Sequence, residues 1–274
     1  MRLSRFSLSS LACLLLVSCG YAAPEGPQFS PEDISEPGAL LAKGKQLSNV
    51  LGCVGCHGQE LTGEEWINEP EFAVLYTSNL THVVQRYNDT EIEGILRTGV
   101  RPGGGELWEM PSEAFAPLSS ADMKSLLTYL RSLKPKGKDW PKLRLGPKGR
   151  EEIASGNFKP TAAWVNEEKG KAPIDVGPTH ARGRYLSHLA CGECHTPTLA
   201  GKPEPFRPDL TVINAYSRAD FESLMREGIA VGGRELPMMS GVARGRFSKL
   251  TDGELDAIYG YLQERSKRQD SSQR

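Results

Sequence analysis

From residue 39 onward the apolar positions fall at helical spacing. Leu40, Leu41, Leu47, Val50 and Leu51 mark one face, with Gly44 set inside it. Thr90 to Thr98 (TEIEGILRT) predicts a short amphipathic helix carrying Ile92, Ile95 and Leu96, and Gly99 to Gly105 breaks it. Ser119 to Leu133 predicts a third helix. It opens on Ser119 and Asp122 as a capping pair and carries Met123, Leu126, Leu127 and Leu130 as its apolar stripe. Residues 58–88, with Gly58, Gly63 and Pro70, read as mostly loop.

The same succession then returns. ARGRYLSHLACGECH answers AKGKQLSNVLGCVGCH, which sets Gly183 against Gly44. RPDLTVI answers TSNLTHV, DFESLMREGIAVGG answers EIEGILRTGVRPGG, GRELPMMS answers GGELWEMP, and LTDGELDAIYGYL answers LSSADMKSLLTYL. Thr251 and Glu254 form a capping box on the last helix. Five blocks in one order are an internal duplication, and 274 residues give room for two domains, over 38–133 and 179–265.

The flanks differ from the halves. Residues 1–18 carry Arg2 and Arg5 ahead of Leu11, Leu14, Leu15, Leu16 and Val17, the pattern of a signal peptide too short to span a membrane stably. The run ends Leu16-Val17-Ser18-Cys19, a lipobox-like sequence in which Cys19 becomes the lipidated first residue; the other reading is an ordinary cleavage site at Tyr21-Ala22-Ala23. Gly20, rather than Asp, after the cysteine favours an outer-membrane anchor. Residues 19–37 read as a Pro/Glu/Gly/Ser tether, 134–178 as a Pro/Lys-rich linker, and 266–274 as a disordered tail. Trp140, Phe158 and Trp164 are candidates to pin the linker. Its seven basic residues between Lys134 and Arg150 form either a solvated segment or a docking strip for an acidic partner or lipid headgroups. Formal charge is −1 for the whole chain, which offers no basic face for nucleic acid.

Cysteine usage narrows the chemistry. Cys53, Cys56 and His57 form one Cys-x-x-Cys-His run, and Cys191, Cys194 and His195 a second, 138 positions further on. Two thiols at that spacing add to the two vinyl groups of one porphyrin, and the adjacent His supplies the proximal nitrogen to iron. The remaining cysteines, Cys13 and Cys19, lie in the export segment or at its end, so none is left for a disulfide. A six-coordinate haem also needs a distal ligand. The aligned blocks set Met110 against Met239, each in a Gly-rich loop before the last helix of its half, with Met238 as the competitor to Met239. Met123 and Met225 fall on helical apolar stripes and read as core. His82, His180 and His188 read as surface residues, with His82 the alternative distal ligand to Met110.

On these residues the chain resembles a duplicated class I cytochrome c: a helix, CxxCH, a loop region, a methionine loop and a final helix, present twice. The resemblance implies an all-α fold of two tandem domains, each wrapped around one covalent haem c. It also implies a close crossing of the first and last helices, which Gly44 with Tyr129 and Gly183 with Tyr261 fit. The function implied is a dihaem c-type cytochrome passing single electrons between redox partners in the bacterial cell envelope, not itself an enzyme. Such a protein works as a free carrier or as the cytochrome subunit of a periplasmic dehydrogenase or respiratory complex. Its partners would then be a donor dehydrogenase or quinol-oxidising complex and an acceptor oxidase or reductase. The alternative is a haem enzyme such as a dihaem peroxidase or a thiosulfate-oxidising cytochrome. One departure from the family pattern is Ser240 after Met239, where the first half has Pro111.

Overall fold

The computed structural model describes residues 28–29, 37–203 and 206–272. The export segment, Cys19 and most of the tether lie outside the described residues. The first half runs α1 (Pro37–Val50), α2 (Cys53–His57), β1 (Glu65–Glu69), β2 (Ala73–Tyr76), α3 (Leu80–Arg86), α4 (Asp89–Thr98), β3 (Val100–Arg101), β4 (Gly105–Glu106), α5 (Ser112–Phe115) and α6 (Ser120–Arg131). Then come β5 (Arg144–Leu145), α7 (Pro147–Ala154) and α8 (Thr161–Glu168). The second half contains α9 (Ala181–His195), a 3-10 turn over Leu210–Ala215, α10 (Arg218–Glu227), β6 (Ile229–Ala230), β7 (Arg234–Glu235), α11 (Met239–Gly245) and α12 (Asp252–Ser272). The fold is mostly helical, with a few short strands.

Local signals explain most boundaries. Asn88 and Glu91 form a reciprocal capping box on α4, which ends at left-handed Gly99; Ser217, Asp220 and Gly228 do the same for α10. Ser119 accepts the Asp122 N–H to start α6. In each half the first and last helices cross at a glycine. A Cβ on Gly44 would run into the Ser125 carbonyl and lie 2.7 Å from the Tyr129 Cβ; one on Gly183 would meet the Ala257 carbonyl and lie 2.7 Å from the Tyr261 Cβ. The backbones are therefore as close as packing allows, and only glycine fits.

The structure corrects three readings. Residues 58–88 are not mostly loop. Ala73–Tyr76 pairs antiparallel with β1, and α3 follows, its N-cap Asn79 accepting from the Thr81 N–H.

Residues 134–178 are not a loose linker. β5 extends the β1–β2 sheet, α7 starts with proline at a position whose N–H would be unpaired anyway, and α8 packs on α4 and α5. Trp140 stacks on Tyr76 at 5.1 Å and donates to the Thr62 carbonyl, while Phe158 packs between Phe72 and Trp108. Trp164 stays 39% exposed, with the Lys159 ammonium above its ring.

The residues read as a disordered tail continue α12 to Ser272. Arg265 and Ser266 are fully buried, and Arg268 donates to the Val176 carbonyl.

The two halves share one apolar core, which includes Leu47, Leu51 and Leu126 from the first and Leu186, Leu189 and Ile258 from the second. Across the seam, fully buried Asp122 accepts from the Tyr185 hydroxyl (2.7 Å), the Ser119 hydroxyl (3.1 Å) and the backbone N–H of Phe29 (2.8 Å), with Lys43 Nζ at 3.3 Å. Arg182 of the second half donates to the Phe29 carbonyl. The tether thus holds to the seam at Phe29, which is wholly buried. Burial and the Asp122 carboxylate both push the Tyr185 hydroxyl pKa up, so Tyr185 stays a neutral donor.

Candidate functional site

The two CxxCH runs enter their sites differently and leave them alike. In the first half α1 stops at Val50, a left-handed Gly52 turns the chain, and α2 carries Cys53 to His57. In the second, α9 runs unbroken through Cys191 and Cys194 to His195. After the histidines the two backbones follow the same path. Gly58 and Thr196 both take positive φ (77° and 68°), as do Leu61 and Leu199 (57° and 63°) and Gly63 and Gly201 (75° and 71°). Gly63 N–H bonds the His57 carbonyl at 2.9 Å and Gly201 N–H the His195 carbonyl at 2.9 Å. Leu80 N–H then bonds the Leu61 carbonyl and Leu210 N–H that of Leu199.

This path brings a backbone carbonyl to each histidine. His57 Nδ1 donates to the Ser78 carbonyl at 2.7 Å, and His195 Nδ1 to the Pro208 carbonyl at 2.9 Å. A proton held on Nδ1 fixes the tautomer in which Nε2 carries the free lone pair, the arrangement of a metal-ligating imidazole. Burial lowers both histidine pKa values, which keeps the rings neutral and able to ligate.

Cys191 is buried, and Cys53, Cys56 and Cys194 are half-buried. Burial pushes Cys56 up to about 11 and Cys191 up to about 12, and raises Cys53 and Cys194 as well. A thiol–disulfide centre calls for a lowered thiol pKa, so the environment does not favour that chemistry. All four are free cysteines. Two thiols and a neutral imidazole with an open Nε2, against an apolar core, form in each half a donor set that fits covalent haem c.

Met110 and Met239 are half-buried and pack against the apolar core; Met238 is 55% exposed, with its sulfur 3.5 Å from Arg207 Nη2. The Met238–Met239 pair is not on an extended loop, since Met238 caps α11 in the helical region and Met239 is its first residue. His82 is only half-buried and its Nδ1 sits 3.0 Å from the Asp139 carboxylate. His188 is half-buried rather than superficial: burial, with Arg184 adding, pushes it down to about 4. His180 is half-buried in a 3-10 turn ahead of α9.

Several residues of the site carry no sequence motif. Asn79 donates its amide to the Lys136 and Lys138 carbonyls, and Asp209 pairs with Arg265 at 2.8 Å, so each clamps the loop beside the CxxCH histidine of its half. Glu113, one turn beyond Met110, is pushed up to about 7, chiefly by burial and further by Glu193, Glu168 and Glu109. The Leu-Thr blocks at 80–81 and 210–211 are the trace that the histidine loops leave in the sequence.

The cytochrome c family model matches residues 41–134 and 180–266, more than half the chain, and the chain belongs to that family. It is similar to the fructose dehydrogenase cytochrome subunit of Gluconobacter japonicus (27% identical, over 97% of this chain and 60% of that subunit). It is likewise similar to the cytochrome c subunit of the quinone alcohol dehydrogenase of Gluconobacter oxydans (27%, over 81% and 49%). The chain thus spans about half to three fifths of the length of these two curated relatives. A diheme cytochrome c-type protein of Cereibacter sphaeroides is 25% identical over 94% of this chain and 97% of its own length. The protein is a haem-binding c-type cytochrome.

Proposed function

We propose that the protein carries two covalent haems, one per half, and relays single electrons between a donor dehydrogenase or quinol-oxidising complex and an acceptor oxidase or reductase. Cys53 and Cys56 would hold the first haem and Cys191 and Cys194 the second, with His57 and His195 as proximal ligands and Met110 and Met239 as distal ones. The observation that carries this reading is the repeated Nδ1-to-carbonyl bond, which presents an open Nε2 beside each thiol pair. Haem iron, when bound, supplies the one-electron redox change, and methionine as second ligand raises its potential. The chain's own part is to orient the imidazoles, keep them neutral, and exclude water with the shared core. Burial of Met239 against exposure of Met238 supports Met239 as the second distal ligand.

The names of the relatives support a role as the cytochrome subunit of a dehydrogenase, and the full-length likeness to a diheme cytochrome supports the haem count. Export by residues 1–18 and lipid anchoring through Cys19 would make it a periplasmic protein attached to a membrane, with the outer membrane favoured by Gly20. No helix among the described residues is long and apolar enough to cross a membrane. The test is the intact mass of the mature protein together with its haem content. Two haems and diacylglycerol on Cys19 are expected; fewer than two haems would overturn the reading.

A further inference from the structure

One side chain reaches both the turn that leads into the first attachment motif and the interior of the second. Arg246 lies in the turn that closes α11 and reaches back into the seam between the halves. Its Nε donates to the Val50 carbonyl at 2.9 Å, three residues ahead of Cys53, and its Nη1 donates to Glu193 Oε2 at 2.8 Å, between Cys191 and Cys194. A Cβ on Gly52 would lie 2.8 Å from the Arg246 Cζ, so the guanidinium fills the space beside the turn that feeds Cys53. Its face lies 5.8 Å from the centre of the Phe247 ring. The side chains of Arg246 and Glu193 are only 14% and 28% exposed, which separates this pair from the solvent-screened ion pairs that contribute little.

We propose that Arg246 is a positioning residue for electron transfer within the molecule, fixing the two haem-attachment motifs against each other and raising the potentials of both haems with one shared cation. The inference rests on the reading that both halves carry haem. Reduction removes one positive charge from a haem, so a cation held in a poorly solvated seam favours the reduced form, and a carboxylate beside it offsets that effect. Because the guanidinium borders both motifs, its removal should move two potentials rather than one. A purely structural staple would weaken the fold under either substitution without imposing opposite signs on the potentials.

The experiment is a spectroelectrochemical titration of the purified dihaem protein and of its Arg246→Gln, Arg246→Lys and Glu193→Gln variants. Haem content is measured first on the unmodified protein, and fewer than two haems there would defeat the dihaem reading itself. With two haems present, Arg246→Gln should lower both midpoint potentials, Glu193→Gln should raise both, and Arg246→Lys should return both most of the way to the original values. Shifts confined to one haem, shifts of the same sign in the Gln variants, or no shift would overturn the proposal. Should Arg246→Gln fail to fold, Glu193→Gln decides alone: a rise at both haems sustains the proposal and anything else overturns it.

Discussion

The two halves hold their CxxCH histidines alike and brace them differently. In each, a carbonyl two residues before the Leu-Thr pair accepts the Nδ1 proton, and an Asn or Asp in between caps the following turn. Behind that loop the halves part. Asn79 is gripped by the backbone of residues 136–138, whereas Asp209 is gripped by Arg265 from the terminal helix. What duplication preserved is the geometry next to the reactive atoms. The supports behind it were rebuilt from whatever chain lay nearest, an ordered connector in one half and a lengthened α12 in the other. An Arg–carboxylate grip at a nearly buried site can replace two backbone-directed amide bonds because charge-assisted bonds are roughly twice as strong as neutral ones.

The largest test of this comparison is at the shared helix crossings. Gly44→Ala and Gly183→Ala should each cost about 3 kcal/mol, since the added methyl meets backbone that cannot yield. Denaturant unfolding of the holoprotein would show it, and a marked inequality between the two would mean the crossings are not equivalent.

Next in size is the bracing. Arg265→Gln leaves Asp209 without its ion-pair partner and should cost about 2 kcal/mol in the same measurement. It should perturb the ligand-field spectrum of the second haem and leave the first unchanged.

Burial also predicts a pH effect at Glu113. Glu113 is raised from 4.5 to about 7, so the folded state holds its proton more tightly than the unfolded chain does. Its contribution is fully present below pH 4.5 and is lost as pH rises through about 7. Glu113→Gln should remove that pH dependence, read from unfolding midpoints across the interval.

The smallest effect concerns one backbone conformation. Thr196 takes φ 68° and ψ 156°, a region suited to glycine, and its counterpart is Gly58 at φ 77° and ψ 163°. Thr196→Gly should stabilise the second half by about 1 kcal/mol, and Gly58→Thr should destabilise the first by a similar amount, both read as shifts in Tm. Opposite signs would sharpen the equivalence of the two turns; equal signs would break it.

How legible each feature is in the chain follows from how it is encoded. CxxCH is carried by side chains at fixed spacing, so the sequence alone displays it, whereas the Gly/Tyr crossings are legible only through the resemblance to class I cytochromes c. The histidine anchors are the carbonyls of Ser78 and Pro208, and a backbone acceptor leaves no residue-type signature; only the Leu-Thr echo marks the place. β5 depends on pairing that joins residues 73–74 to 144–145, a long-range choice that local pattern does not encode. Residues 266–272 have the charged and polar composition of a frayed end. They are helical because Arg265, Ser266 and Arg268 find Asp209, Asn214 and the Val176 carbonyl. Prolines in 134–178 suggest a linker, yet Pro147 and Pro160 stand where helices begin.

We propose that two haems are held alike, each between a carbonyl-oriented histidine and a half-buried methionine. This is tested most directly by the far-red methionine-to-iron charge-transfer band of the oxidised protein, normalised to haem content. Full strength for two haems is predicted, falling to half in Met110→Ala or Met239→Ala and unchanged in Met238→Ala. Half strength in the unsubstituted protein, or loss of the band on Met238→Ala, would contradict it.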